Sequence, residues 1–182
     1  KKQETVEEYI EANQKVAETS IIPRYNFIIG FPSETQEELN ETVDLSLRLI
    51  EDNPQAVINS FSPLTPLPGT ELLNISVREF GFKLPENLES WMGITRRRLP
   101  TPWQRENRTV IRNLMYTSAF VISAKRFARD YWWIPGILFD LYSSFIKHRW
   151  RQHRYEDSFD LKLVEILHRI YSPVDFEVGK SC

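Results

Sequence analysis

Two stretches of the chain carry the residue types best suited to holding a ligand. Gly30 to Thr35 follows the apolar run Tyr25 to Ile29, and the proline-rich stretch Ser62 to Thr70 follows the apolar run Ala56 to Phe61. Turns at the carboxyl ends of parallel strands expose backbone N–H groups, so ligands bind there in α/β proteins. The pattern predicts a ligand site formed by both loops. The plainer interpretation is a pair of ordinary strand-to-helix connections.

Other residues capable of chemistry are sparse. Cys182 is the only cysteine, so the chain predicts no disulfide framework and no thiolate cluster. The histidines are His148, His153 and His168, and the spacing of the first two does not place both imidazoles on one helical face. No nucleophile–histidine–carboxylate set can be assembled. The sequence therefore predicts no catalytic residue and no metal ligand.

The two loops are positioned by a predicted strand–helix–strand unit. Tyr25 to Ile29 lacks polar alternation, which predicts a strand buried on both faces. Gly30 ends it, Ser33 is the expected amino-cap, and Glu34 to Asp52 forms a crossover helix that stops at Asn53-Pro54. Such crossovers are right-handed in nearly all cases. The two loops should therefore lie side by side.

Further helices are predicted on both sides of this unit. Thr5 to Thr19 precedes it and should cover the sheet, and Thr70 to Phe80 follows it and ends at a glycine. Beyond an irregular stretch from Phe82 to Pro102, helical patterns span Gln104 to Asp130, Gly136 to about Arg154, and about Ser158 to Tyr171.

The pattern divides the chain into three parts. Residues 1–91 are predicted to be α/β, and residues 104–182 are predicted to form an all-α extension. Residues 92–103 are predicted to form a linker that Trp91 and Trp103 hold in place.

The two loops resemble a known family in sequence and in order. GFPSET, followed about thirty residues later by a strand and TPLPGTEL, is similar to the GFPGET and TPYPGT motifs of radical S-adenosylmethionine enzymes. TVEEYIEANQKVAET resembles the preceding helix in the subgroup that carries a cobalamin-binding domain. The resemblance covers Lys1 to Trp91. It implies the carboxyl-terminal part of a partial (β/α) TIM-like barrel, with two parallel strands and their helices.

The resemblance also implies a binding site and cofactors. Glu34 would fix the first turn, a side chain at Gly30 would crowd the ligand, and residues 63–65 would present backbone polar groups. In simpler interpretations Glu34 only caps a helix and Gly30 only permits a turn. The cofactors implied for the full-length parent are S-adenosylmethionine, a four-iron, four-sulfur cluster and cobalamin, with none expected on this chain alone. The residues expected around the adenine are Phe27, Ile28, Ile29, Gly30, Phe31, Pro32, Glu34, Pro63, Leu64 and Thr65.

One departure from the family is large. Its Cys-x-x-x-Cys-x-x-Cys motif has no counterpart, and one cysteine cannot supply three thiolates. Two parallel strands also need neighbours and burial on both faces. The expectation is therefore a carboxyl-terminal fragment whose first partner is the missing part of its own barrel. Alone, this fragment should be inactive and prone to self-association.

Two alternatives to this interpretation are a tRNA-modifying methylthiotransferase-like relative and a non-catalytic interaction module. The predicted helical extension argues against the first of them.

Charge and composition limit the classes of partner that the sequence predicts. A net charge of −2 and a pI near 6.0 give no electrostatic reason to expect nucleic acid. A small-molecule substrate is what the family resemblance implies. The single cysteine suits a reducing compartment and predicts a cytoplasmic location. The basic stretch Lys147 to Arg154 fits a solvated surface, a partner domain or peripheral contact with an anionic membrane.

Overall fold

The computed structural model describes residues 4–92, 94, 101–118, 121, 136–156 and 162. The fold is mixed α/β, with one parallel pair of strands. In chain order the elements are α1 (Val6–Ala17), β1 (Arg24–Ile29), α2 (Gln36–Asp52), β2 (Val57–Pro63), α3 (Glu71–Phe80), α4 (Leu88–Met92), α5 (Pro102–Glu106), α6 (Arg108–Thr117) and α7 (Gly136–Arg151).

Helix α2 begins two residues later than predicted. Its N-cap is Thr35, whose hydroxyl accepts the Glu38 N–H at 3.2 Å while the Glu38 carboxylate accepts the Thr35 N–H at 2.8 Å. This reciprocal capping box satisfies two backbone donors that a helix start leaves unpaired. The prediction of Ser33 as the cap is wrong, and Glu34 lies before the helix instead of in its first turn.

The sheet has one covered and one open face. Phe27 pairs with Phe61, and their rings stack 5.0 Å apart on the covered side. Ile28 pairs with Ser62 on the opposite side and stays 54% exposed. Burial along β1 therefore alternates. The prediction that this strand is buried on both faces is wrong, because the described helices pack against one face.

One core joins the strands to the helices that follow them. Phe61 meets Trp150 of α7 edge-on, with ring centroids 5.2 Å apart. Side chains of α2, α6 and α7 lie in the same buried cluster as Ile29 and Phe61. Those with the lowest exposure are Val43, Leu114 and Ile146. The helical extension thus supplies part of the covering of the sheet.

Helix α1 is held in place by a buried amide. Asn13 is fully buried, and its Nδ2 donates to the Leu49 carbonyl at 2.9 Å while its Oδ1 accepts the Tyr25 hydroxyl at 2.9 Å. The Asn13 carbonyl also accepts from Asn53 Nδ2 at 3.3 Å. These bonds tie α1 to the end of α2 and to β1.

Several predicted boundaries shift. The predicted helix Gln104 to Asp130 is interrupted at Asn107, between α5 and α6, and residues 122–130 lie outside the described part. The helix predicted from Ser158 to Tyr171 also lies outside it, apart from Lys162. In the stretch predicted to be irregular, Leu88–Met92 forms the short α4. Among the described helices, none is both long and apolar enough to cross a bilayer.

Candidate ligand site at the carboxyl ends of the strands

The two predicted loops meet at one end of the sheet. The Leu64 N–H donates to the Ile29 carbonyl at 2.7 Å, which continues the pairing of the strands beyond the last residue of β2. Gly30 and Leu64 are therefore neighbours, although 33 residues separate them in the chain. The prediction that the loops lie side by side is confirmed.

Glu34 closes the first loop. Its carboxylate accepts the Gly30 N–H at 2.7 Å, and its own N–H donates to the Phe31 carbonyl at 3.2 Å. Burial raises the pKa of the Glu34 carboxyl above its ordinary value; the Gly30 N–H opposes that shift and the nearby Glu38 adds to it. Glu34 thus fixes the turn by side-chain contact instead of capping α2.

Gly30 is required by both conformation and space. Its φ of +74° lies in the left-handed region, which residues with a Cβ adopt only at a cost in free energy. A Cβ there would lie 3.2 Å from Gln104 Nε2 and 3.2 Å from Ile111 Cδ1. A side chain at Gly30 would therefore meet the packing of α5 and α6, and the expectation that it would also crowd a ligand stays a prediction.

Two residues of α5 bind the same loop ends. The Gly30 carbonyl accepts from Trp103 Nε1 at 2.9 Å and from Gln104 Nε2 at 3.1 Å. Trp103 also packs near the rings of Phe80 and Phe82, with centroids 6.0 and 6.4 Å away. The predicted anchoring role of Trp103 is confirmed. Gln104 was not predicted, since nothing in its local sequence indicates a contact 74 residues away.

The backbone of the second loop is also engaged within the protein. The Leu64 N–H is bonded to Ile29, and its carbonyl accepts Gln104 Nε2 at 2.7 Å. Pro63 and Leu64 are buried, whereas Thr65 is half-buried and its Oγ1 finds no partner among the described residues. In this arrangement the Leu64 polar groups point to protein atoms.

The accessible part of the site is a cleft beside β1. It measures about 650 Å³ and lies between the first turn of α1 and the exposed side of α2. Ile28 and Phe31 supply exposed apolar surface, 54% and 38% exposed, and Glu34 stands beside them. Its lining residues are Val6, Glu7, Ile28, Phe31, Ser33, Glu34, Glu38, Glu41, Thr42 and Leu45.

The structure thus divides the predicted site residues. Ile28, Phe31 and Glu34 lie together on the cleft. Phe27 and Ile29 pack into the core, and Pro32 is half-buried. The backbone polar groups of Gly30 and Leu64 are hydrogen-bonded within the protein. Pro63 is buried and Thr65 is half-buried.

The open face of the sheet carries a row of polar side chains. Asn26 Oδ1 accepts from Asn59 Nδ2 at 2.8 Å and from Ser60 Oγ at 3.3 Å. The Ser60 and Ser62 hydroxyls lie 3.1 Å apart. This row was not predicted, although Asn26 in β1 and the alternating Ser60 and Ser62 in β2 were its signal. It gives the open face uncharged hydrogen-bonding groups.

Metal ligation is not apparent in the described part of the chain. Within it, no group of three or more histidine, cysteine, aspartate or glutamate side chains is arranged to hold an ion. Cys182 lies outside that part.

Comparison with known proteins returned no match to a family model, a curated protein or a solved structure. The likeness of the two loops to radical S-adenosylmethionine enzymes therefore stays a prediction. So do the cofactors, site residues and partners that it implies.

Proposed function

We propose that this chain forms the adenine-binding end of a radical S-adenosylmethionine barrel of the cobalamin-dependent type. The remaining strands and the cysteine motif would come from polypeptide outside these 182 residues. The observation that carries the proposal is the placement of Ile28 and Phe31, which lie exposed on a cleft beside the first motif loop. The substrate class remains a small molecule.

The two-faced sheet supports a place in a barrel. In (β/α) barrels the helices cover the outer face of the strands, and the other face lines the interior. Here α2, α6 and α7 share one core with the covered face, while Asn26, Ile28 and Ser62 lie on the other face. A lumen-facing surface of polar groups around one apolar side chain suits a site that holds ligands.

The cleft fits parts of S-adenosylmethionine. An adenine ring needs apolar surface, which Ile28 and Phe31 offer. The carboxylates of Glu7 and Glu41 lie on the same cleft and favour a positively charged group such as a sulfonium. The adenine contacts proposed here are therefore side-chain contacts, because the Gly30 and Leu64 carbonyls are engaged by α5.

The iron–sulfur cluster does not fit this chain. Its one cysteine cannot provide three thiolates, so cluster chemistry would have to come from elsewhere in the parent protein. When bound, cluster and cofactor supply a deoxyadenosyl radical. The part proposed for this chain is to bind and orient the cofactor.

A substitution on the cleft tests the proposal. In the full-length protein that contains this chain, Ile28→Asp should weaken binding of S-adenosylhomocysteine at least about tenfold, because it places a charge where the ring would rest. Isothermal titration measures the affinity. Leu67→Asp is the control, since Leu67 is similarly exposed, at 57%, and does not line the cleft. Equal affinities in the two variants would count against the site.

A non-catalytic interaction module is the second candidate. The exposed Ile28 and the open face of the sheet favour it, because such surfaces recruit another chain or a second copy. A cysteine motif in the full-length protein would favour the enzyme, and its absence would favour the module.

A further inference from the structure

Gln104 joins the two loops through a single atom. Its side chain is fully buried, and Nε2 donates to the Gly30 carbonyl at 3.1 Å and to the Leu64 carbonyl at 2.7 Å. The two carbonyls follow different strands. The Leu64 N–H also donates directly to the Ile29 carbonyl, so the Gln104 amide adds a side-chain link from the helical extension to loop ends that the backbone already brings together.

Among uncharged side chains, only a primary amide of this length fits the task. Two acceptors on one nitrogen require two N–H donors, which a carboxylate or thioether lacks. Asparagine has the donors but is one methylene shorter. The other polar atom of this amide, Gln104 Oε1, is buried and has no hydrogen-bond partner among the described residues, which is unfavourable for the folded state. Packing alone would favour an apolar side chain at Gln104, so the donor end accounts for the residue.

Trp103 offers an internal comparison. Its Nε1 donates to the same Gly30 carbonyl at 2.9 Å, yet no bond from it to Leu64 is present in the described part. Trp103 therefore holds one loop against α5, whereas Gln104 spans both.

We infer that Gln104 is a positioning residue for the ligand, acting through the Gly30 and Leu64 carbonyls. It holds the first loop against the second, so that Ile28 and Phe31 stay on the cleft. The inference rests on the proposed function and gives the helical extension a part in it. Gln104 itself need not touch the ligand.

The test compares three variants of the full-length protein: Gln104→Met, Gln104→Asn and Trp103→Phe. S-adenosylhomocysteine affinity is measured by titration, and the free energy of unfolding is measured on the same preparations. Both Gln104 variants should bind about fivefold to tenfold more weakly, as expected for about 1 kcal/mol or slightly more of lost preorganisation. Trp103→Phe should stay within about twofold, although it also loses a bond to Gly30 and is destabilised.

A second measurement follows the loops without any ligand. Amide hydrogen exchange at Gly30 and Leu64 should speed up together in the Gln104 variants, and at Gly30 alone in Trp103→Phe. If Gln104→Met fails to fold, Gln104→Asn still provides the comparison.

The outcomes separate the two claims. Unchanged affinity in a folded Gln104 variant, or an equal loss in Trp103→Phe at equal stability, overturns the positioning role and leaves the proposed function standing. Failure of the unmodified protein to bind the ligand overturns the proposed function, and the positioning role with it.

Discussion

Replacing Gly30 by valine is expected to lower the free energy of unfolding by about 2–5 kcal/mol. A left-handed backbone costs a residue with a Cβ about 1–2 kcal/mol, and a β-branched side chain tolerates it worst. Overpacking adds about 1–3 kcal/mol, because the new atoms would meet Gln104 and Ile111 within 3.3 Å. Urea denaturation followed by circular dichroism measures the loss.

Gly69 provides a matched control for this prediction. Its φ of +81° is close to that of Gly30, but a Cβ there would meet nothing within 4 Å. Gly69→Val should therefore lose only the conformational part. Equal losses at the two positions would show that the packing of α5 and α6 against Gly30 is not as described.

Truncating Phe61 to alanine is expected to cost about 3–5 kcal/mol, the range for large aromatic side chains in a core. Phe61 is 1% exposed, stacks on Phe27 and meets Trp150 edge-on. It therefore joins both strands to α7. The same urea experiment measures the change.

Phe31→Ala is the control for Phe61. Phe31 is 38% exposed on the cleft, so its truncation should cost less than about 1 kcal/mol while leaving the core intact. A loss at Phe61 no larger than the loss at Phe31 would contradict the shared core of sheet and extension.

The sequence was sufficient to predict the parallel strand pair and its crossover helix. The signals are local ones: short apolar runs, the break at Asn53-Pro54 and the two turn motifs. Each depends on neighbouring residues alone, so it predicts an element without knowledge of the tertiary contacts. The cap was misplaced because Ser33 and Thr35 are both hydroxyl residues. The spacing of Thr35 and Glu38 marks a capping box and favours the correct residue.

Other features depend on distant parts of the chain. Asn26 in β1 was a local sign of an open face, but its partners Asn59 and Ser60 lie over thirty residues away. Gln104 reaches Gly30 and Leu64 only once α5 has docked. Composition cannot reveal such contacts, and they decide which backbone groups a ligand can use.

The adenine-binding role is tested most directly by photoaffinity labelling. An azidoadenine analogue of S-adenosylhomocysteine would be irradiated with the full-length protein, and labelled tryptic peptides would be identified by mass spectrometry. We predict label within the peptide Tyr25 to Arg48, at Ile28 or Phe31, and its loss when excess unmodified S-adenosylhomocysteine is present. Label confined to other peptides, or label that the competitor does not reduce, would contradict the proposed site.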